Sequence, residues 1–176
     1  MNVWEILLLI IFNLILLSAL LSSISMAPFV PARTKDLGRI IKIAGLQKGE
    51  VFYDIGCGNG KVVLAAGAAG VRAIGIELSF LNYLSCVIRK LFKKSAGVSF
   101  RFGNLYKYDL DGADVVYLFG TPSGIDSRLK NKLIKELKPR ARVVSYVFEI
   151  KGWRPTAIDK PDKNRVAIYL YTIGNI

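Results

Sequence analysis

From Val3 to Leu21 the chain is apolar almost without interruption, broken only by Glu5, Asn13 and Ser18. As a helix this run would reach about 28 Å at 1.5 Å per residue, close to the hydrocarbon thickness of a bilayer. The pattern predicts an uncleaved transmembrane anchor over residues 1–24. A signal peptide fits less well, because no basic residue precedes the run and Ser23-Ile-Ser25-Met is a poor cleavage site. Arg33, Lys35, Arg39 and Lys42 follow the run, so the positive-inside tendency sets the rest of the chain on the cytoplasmic side of a single-pass membrane protein.

Beyond a linker, residues 25–34, the pattern changes to short apolar runs alternating with amphipathic stretches. Leu37, Ile40, Ile41 and Ala44 recur at helical spacing and predict a helix over Lys35–Ala44, capped by Thr34 and ended by Gly45. Strands are predicted at 51–55, 72–77, 98–102, 114–119 and 142–148, with helices at 61–69, 80–92 and 126–137 between them. This alternation is that of a mostly parallel, Rossmann-like sheet covered by helices. The last two strands, near 156–158 and 165–172, are joined by too short a turn for a helical crossover and predict an antiparallel hairpin. Residues 35–176 thus form one domain.

Twenty-five Lys and Arg against 13 Asp and Glu give a formal net charge of +12. Next to a membrane such a surface is expected to face anionic lipid, and the clusters at 89–94 and 128–142 are read that way, with nucleic acid the less favoured partner. There is no histidine, and Cys57 and Cys86 are the two cysteines. Zinc sites of the Cys/His type and mechanisms that need an imidazole base are therefore excluded, and no metal is expected.

The chemistry concentrates in Asp54-Ile-Gly56-Cys-Gly58-Asn-Gly60, at the end of the first strand, and in Ala73-Ile-Gly-Ile-Glu77, which ends the second. A strand, a glycine-rich turn and a helix receive a nucleotide-like cofactor, and a carboxylate ending the next strand suits ribose hydroxyls. The glycines lack the dinucleotide spacing, and Asp54 beside the turn would repel a pyrophosphate. It suits a cofactor carrying a sulfonium and an amino group, which favours S-adenosylmethionine.

The motif from Asp54 to Gly60, with the terminal hairpin, resembles the class I S-adenosylmethionine-dependent methyltransferases. The resemblance implies a seven-stranded sheet. In it Gly56, Gly58 and Gly60 pack on the methionine part of the cofactor, Asp54 anchors its amino-acid end, Glu77 with Leu78 binds the ribose, and Asn104 and Leu105 touch adenine. The apolar start, Pro28-Phe-Val-Pro31-Ala-Arg-Thr34 and Gly112-Ala-Asp114-Val-Val-Tyr117-Leu further resemble the membrane-anchored protein-lysine methyltransferases, a family with mitochondrial members that act on the ATP synthase c subunit. That resemblance implies that Pro31 and Thr34 lie over the cofactor, that the reaction is N-methylation of a lysine, and that the substrate is a membrane-associated protein. Relatives tend to carry a histidine after the fifth-strand serine, where Ser145 is followed here by Tyr146.

Methyl transfer to an amine is an in-line displacement that needs alignment and exclusion of water more than a dedicated base. The acceptor is expected above the carboxyl ends of the central strands, beside Phe119, Thr121, Tyr146 and Glu149. Phe119 and Thr121 would line the pocket, Tyr146 would offer an aromatic face to the amine, and Glu149 would orient it or take its proton. Asp114, at the start of its strand, falls at the opposite end of the sheet. The other readings are a methyltransferase of a small or lipid-like acceptor and a basic, non-catalytic module.

Overall fold

The computed structural model describes residues 2–25, 31–93 and 97–176, with side chains on the first helix described for 2–14 and 16. Residues 26–30 of the expected linker and Lys94 of the basic cluster lie outside the described residues.

Helix α1, Val3–Ser25, opens with a reciprocal cap in which Asn2 Oδ1 accepts from the Glu5 N–H at 2.9 Å and Glu5 Oε2 accepts from the Asn2 N–H at 3.0 Å. A helix forms where the apolar run predicts one, but among the described residues no helix is long and apolar enough to cross a membrane. The helix carries Glu5 in its first turn and Asn13, whose side-chain amide donates to the Leu9 carbonyl at 2.8 Å. That corrects the expected transmembrane anchor. The membrane-anchored function, the single-pass localisation, the anionic lipid surface and the membrane-associated substrate rested on it and fall with it.

The rest is the expected sheet, with each strand where a short apolar run meets a turn. Its strands are β1 Val51–Ile55, β2 Arg72–Glu77, β3 Val98–Phe102, β4 Val115–Leu118, β5 Arg142–Tyr146, β6 Ala157–Asp159 and β7 Ile168–Thr172, in the order β3-β2-β1-β4-β5-β7-β6. The first five are parallel, and β7 runs antiparallel between β5 and β6. The helices are α2 Leu37–Ala44, α3 Lys61–Ala68, α4 Phe80–Lys93 and α5 Ser127–Glu136.

Alternation along the strands divides the core into two layers. Tyr53, Ile55, Ile74, Ile76, Val116, Leu118 and Val143 pack with Leu129 and Leu133 of α5 on one face. Phe52, Ala73, Val115, Tyr117, Val144 and Tyr146 pack on the other with Ile40 and Ala44 of α2, Val62, Val63 and Ala66 of α3, and Cys86 of α4. The chain leaves β1 in opposite directions at β2 and β4, which opens a crevice at their carboxyl ends.

Three local expectations change or gain a cause. The predicted helix over Lys35–Ala44 begins as a 3-10 turn, Thr34–Asp36, and α2 proper starts at Leu37 with no side-chain cap. The Thr34 hydroxyl instead accepts from Lys61 Nζ at 3.3 Å. Strand β5 stops at Tyr146, because Val147 turns to φ 74°, a left-handed conformation that is costly for a β-branched residue. The Ser145 hydroxyl, donating to the Phe148 carbonyl at 2.6 Å, clamps that turn. Asp114 lies at the amino end of the sheet, as expected. It accepts from the Val51 N–H at 2.8 Å and pairs with Lys138 at 2.5 Å, a structural role.

Candidate active site

The glycine turn joins β1 to α3, and hydrogen bonds fix its path. The Gly56 and Cys57 N–H groups both donate to the Ile76 carbonyl, at 2.9 and 3.0 Å, and the Gly60 N–H donates to the Cys57 carbonyl at 2.9 Å. Cys86 Sγ, on α4, donates to the Gly58 carbonyl at 3.1 Å. Gly60 is left-handed at φ 73°, and a Cβ there would come within 2.8 Å of the Phe100 ring and 2.9 Å of Cys86 Sγ. Only glycine meets both conditions.

Glu77, at the end of β2, faces the turn. Its Oε2 accepts from the Gly58 N–H and its Oε1 from the Ser79 N–H, both at 2.7 Å. The Leu78 N–H and the Asn82 side chain also hydrogen-bond this carboxylate, which thereby holds the loop at the end of β2. Burial pushes its pKa up, although these N–H groups pull the other way.

Asp54 is one strand away and almost wholly buried, and its Oδ1 has no hydrogen-bond partner. Burial first, and then the charge of Glu77, raise its pKa well above the usual carboxylate range. An unpaired polar atom in such a place is costly unless something binds there. A cation beside Asp54 would offset both the burial and the carboxylate repulsion. S-adenosylmethionine, with its sulfonium and ammonium, fits that requirement, and Asp54, Glu77 and the glycine turn are the residues that would hold it.

A pH dependence follows. Both carboxyls have folded-state pKa values raised above their unfolded ones, so their contribution to stability is complete below the unfolded values and is lost as pH rises through the folded ones. The ligand-free protein is therefore expected to lose thermal stability as pH climbs upward from the ordinary carboxylate range. S-adenosylmethionine, favouring the ionised forms, should raise the melting temperature more as pH increases. Thermal scans at stepped pH with and without the cofactor test this, and a cofactor shift that shrinks with rising pH would refute it.

The segment before α2 is bonded to this end of the sheet. Pro31 is exposed, while Thr34 reaches Lys61 at the start of α3. Asp36, wholly buried, accepts from Arg39 Nη1 and from the Tyr146 hydroxyl, both at 2.8 Å, with Arg165 Nη1 at 3.6 Å. Burial pushes the Asp36 pKa up, but the Arg39 and Tyr146 bonds outweigh that and hold it down. Arg39 continues to Asp159 at 2.6 Å and to the Val166 carbonyl at 2.9 Å. The 3-10 turn before α2 is thereby tied to β5 and to the hairpin. The sequence alone does not single out Asp36, because its partners lie up to 129 residues away.

Tyr146 is not the open aromatic face that its position at a strand end suggests. It is buried, its hydroxyl is committed to Asp36, and burial together with that bond raises its pKa to about 12. Its ring meets the edge of Phe119 at 5.0 Å and 89°, and Phe119 stacks on Phe148 at 6.5 Å. Phe119, half-buried, is thus the middle of an aromatic row at the carboxyl ends of β4 and β5. The Thr121 hydroxyl accepts from the Gly124 N–H at 3.2 Å and lies 3.1 Å from the Ser123 hydroxyl, within the turn after β4. Glu149 is exposed beyond the β5 turn. Leu78 is half-buried beside Glu77. Asn104 Oδ1 accepts from the Tyr106 N–H at 3.0 Å, and Leu105 packs on the core.

Tyr117, to which the motif in the sequence assigns no role, stands out in the structure. It stands at the same level as Asp54 on the neighbouring strand, nearly fully buried, and its hydroxyl too has no partner. A tyrosine in an otherwise apolar central strand is the signal by which it could have been found.

A family model described as the ANTKMT methyltransferase domain matches residues 54–157. A protein-lysine N-methyltransferase of Saccharolobus islandicus is 33% identical over 159 residues, covering 88% of this chain and 98% of that protein. The human lysine N-methyltransferase of the ATP synthase c subunit is 33% identical over 129 residues, which cover 73% of this chain; the match spans about half, 54%, of the human protein. Among solved structures, an RNA methyltransferase from Salinibacter ruber in complex with S-adenosyl-L-homocysteine superposes with a TM-score of 0.76 at 31% identity, covering 82% of this chain and 94% of that one. With the glycine turn and the Asp54–Glu77 pair, these matches make the chain a member of the ANTKMT methyltransferase domain family, an S-adenosylmethionine-dependent class I methyltransferase related to the protein-lysine N-methyltransferases.

Proposed function

We propose that this enzyme methylates a lysine side chain of a protein. The observation that carries the reading is the half-buried aromatic pair Phe119 and Phe148, backed by the buried Tyr146, at the carboxyl ends of β4 and β5. Such a pair receives the aliphatic stem of a lysine and attracts its cationic head. The name of the Saccharolobus relative, matched over nearly its whole length, points the same way.

Bound S-adenosylmethionine supplies an electrophilic methyl group on a sulfonium. Glu77 would hold the ribose hydroxyls, Asp54 the ammonium end, and the glycine turn the methionine chain. Pro31 and Thr34 would cover the site, and Leu78, Asn104 and Leu105 would border the nucleoside. Phe119 would align the amine and keep water out. Tyr146, its hydroxyl donating to Asp36 and its pKa raised to about 12, supports Phe119 and is no base. With no histidine in the chain, the acceptor loses its proton to solvent or to Glu149, and Thr121 frames the entrance. Proximity carries most of the rate enhancement.

The test is to incubate the enzyme with methyl-labelled S-adenosylmethionine and a cell extract, with and without ribonuclease, and to separate the acid hydrolysate. Label should appear as Nε-methyl-lysine and withstand ribonuclease. Label in RNA, as the name of the Salinibacter relative would suggest, or in small molecules would overturn the lysine reading. Phe119→Ala should lower kcat/KM for the protein acceptor about tenfold, or about 1.4 kcal/mol, while leaving S-adenosylhomocysteine affinity unchanged.

A further inference from the structure

We propose that Tyr117 is a further cofactor-binding residue, its hydroxyl completing with Asp54 the polar pocket that receives the amino-acid end of S-adenosylmethionine. Two observations coincide. Among the described residues, the buried side-chain oxygens and nitrogens without a hydrogen-bond partner are Asp54 Oδ1 and the Tyr117 hydroxyl. These two residues are also register partners on the adjacent strands β1 and β4. Register partners in a parallel pair point to the same face. That pair of strands is where the strand order reverses, the place at which open α/β sheets bind ligands.

Placement separates Tyr117 from the acceptor. Phe119 lies two residues nearer the carboxyl edge, just past the end of β4 and in the same core layer, within the aromatic row. Tyr117 lies one layer deeper, at the level of Asp54, with its ring stacked on Phe52 at 6.5 Å and 25°. What reaches it is what reaches Asp54.

The groups around the hydroxyl leave it no other use. Of its neighbours, Tyr146 donates its hydroxyl hydrogen bond to Asp36, and Asp36 is already occupied by Arg39 and Tyr146. Burial, followed by the charge of Asp54, drives the Tyr117 phenol pKa up, so it stays a neutral hydroxyl. A neutral hydroxyl both donates and accepts. Against the zwitterionic end of the cofactor it can take a hydrogen bond from the ammonium or give one to the carboxylate, while ionised Asp54 can do only the first. The pair would thus recognise an amino acid rather than a bare cation. This inference rests on the cofactor and not on the identity of the acceptor.

Tyr117→Phe keeps the ring and its stacking and removes only the oxygen. Binding of S-adenosylhomocysteine and of 5′-methylthioadenosine, which lacks the amino-acid end, is measured by calorimetry for both proteins, together with their ligand-free melting temperatures. S-adenosylhomocysteine affinity should fall about tenfold and methylthioadenosine affinity should not change. The ligand-free melting temperature should hold or rise, because a buried hydroxyl without a partner has been removed. In a cycle with Asp54→Asn the two losses should be less than additive. Equal losses for both ligands, an unchanged S-adenosylhomocysteine affinity, or a lowered ligand-free melting temperature with no change in discrimination would each overturn the proposal. The binding assay contains no acceptor, so failure here is distinct from failure of the lysine reading.

Discussion

Asp36→Ala is expected to destabilise the protein by about 3 kcal/mol, the scale for breaking a buried ion pair from one side. The carboxylate is wholly buried and is the shared partner of Arg39 and the Tyr146 hydroxyl. Its loss leaves that hydroxyl buried without an acceptor and Arg39 with Asp159 as its remaining carboxylate. The damage should extend to chemistry, because Tyr146 supports Phe119. Urea unfolding of the variant should show a lower midpoint at unchanged slope. Tyr146→Phe in the same background should recover part of the loss by removing the stranded hydroxyl. A loss below about 1 kcal/mol, the scale of an exposed pair, would mean that the network does not hold the start of α2 to the sheet.

Glu77→Ala is expected to weaken S-adenosylhomocysteine binding by at least about a hundredfold, near 2.7 kcal/mol. Two effects add. The carboxylate that would take both ribose hydroxyls is gone, with charged hydrogen bonds worth about 1.5–3 kcal/mol each. The Gly58 and Ser79 N–H groups also lose their acceptor, so the glycine turn is no longer held toward β2. Glu77→Gln separates the effects, because its amide oxygen can still accept from one N–H. Calorimetric titration should place the glutamine variant between wild type and alanine. Equal affinity of the alanine variant and wild type would remove Glu77 from the cofactor site.

How much can be read from the chain depends on the distance over which each feature is decided. The seven strands and their order of appearance follow from short apolar runs and local turn signals. The glycine turn and Glu77 follow from spacing within one strand–helix–strand unit, and the structure brings them to hydrogen-bond contact. The Asp36 network is illegible in the sequence, because Arg39, Tyr146, Asp159 and Arg165 meet only once the sheet is assembled. Tyr117 shows in the sequence as a tyrosine within an apolar strand, but its pairing with Asp54 comes from the register of β4 against β1, which no local pattern encodes. Tyr146 falls at the expected strand end, but its commitment to Asp36 inverts its expected use. The anchor expectation fails for another reason. An apolar run specifies a helix, but whether that helix can cross a bilayer is a separate property, and polar positions such as Glu5 and Asn13 weigh against it.

The bonds from Arg39 to Asp159 and to the Val166 carbonyl bridge 120 and 127 residues of sequence. On a ribosome, which releases the chain from its amino end at about 5–20 residues per second, Asp36 and the glycine turn emerge early, while the strands that brace Asp36 and Arg39 come last. The nascent protein must carry the Asp36–Arg39 pair unbraced until β7 has joined β5. The fastening of the start of α2 is thus deferred to the close of translation, and a chain arrested before Val166 would hold the glycine motif without it.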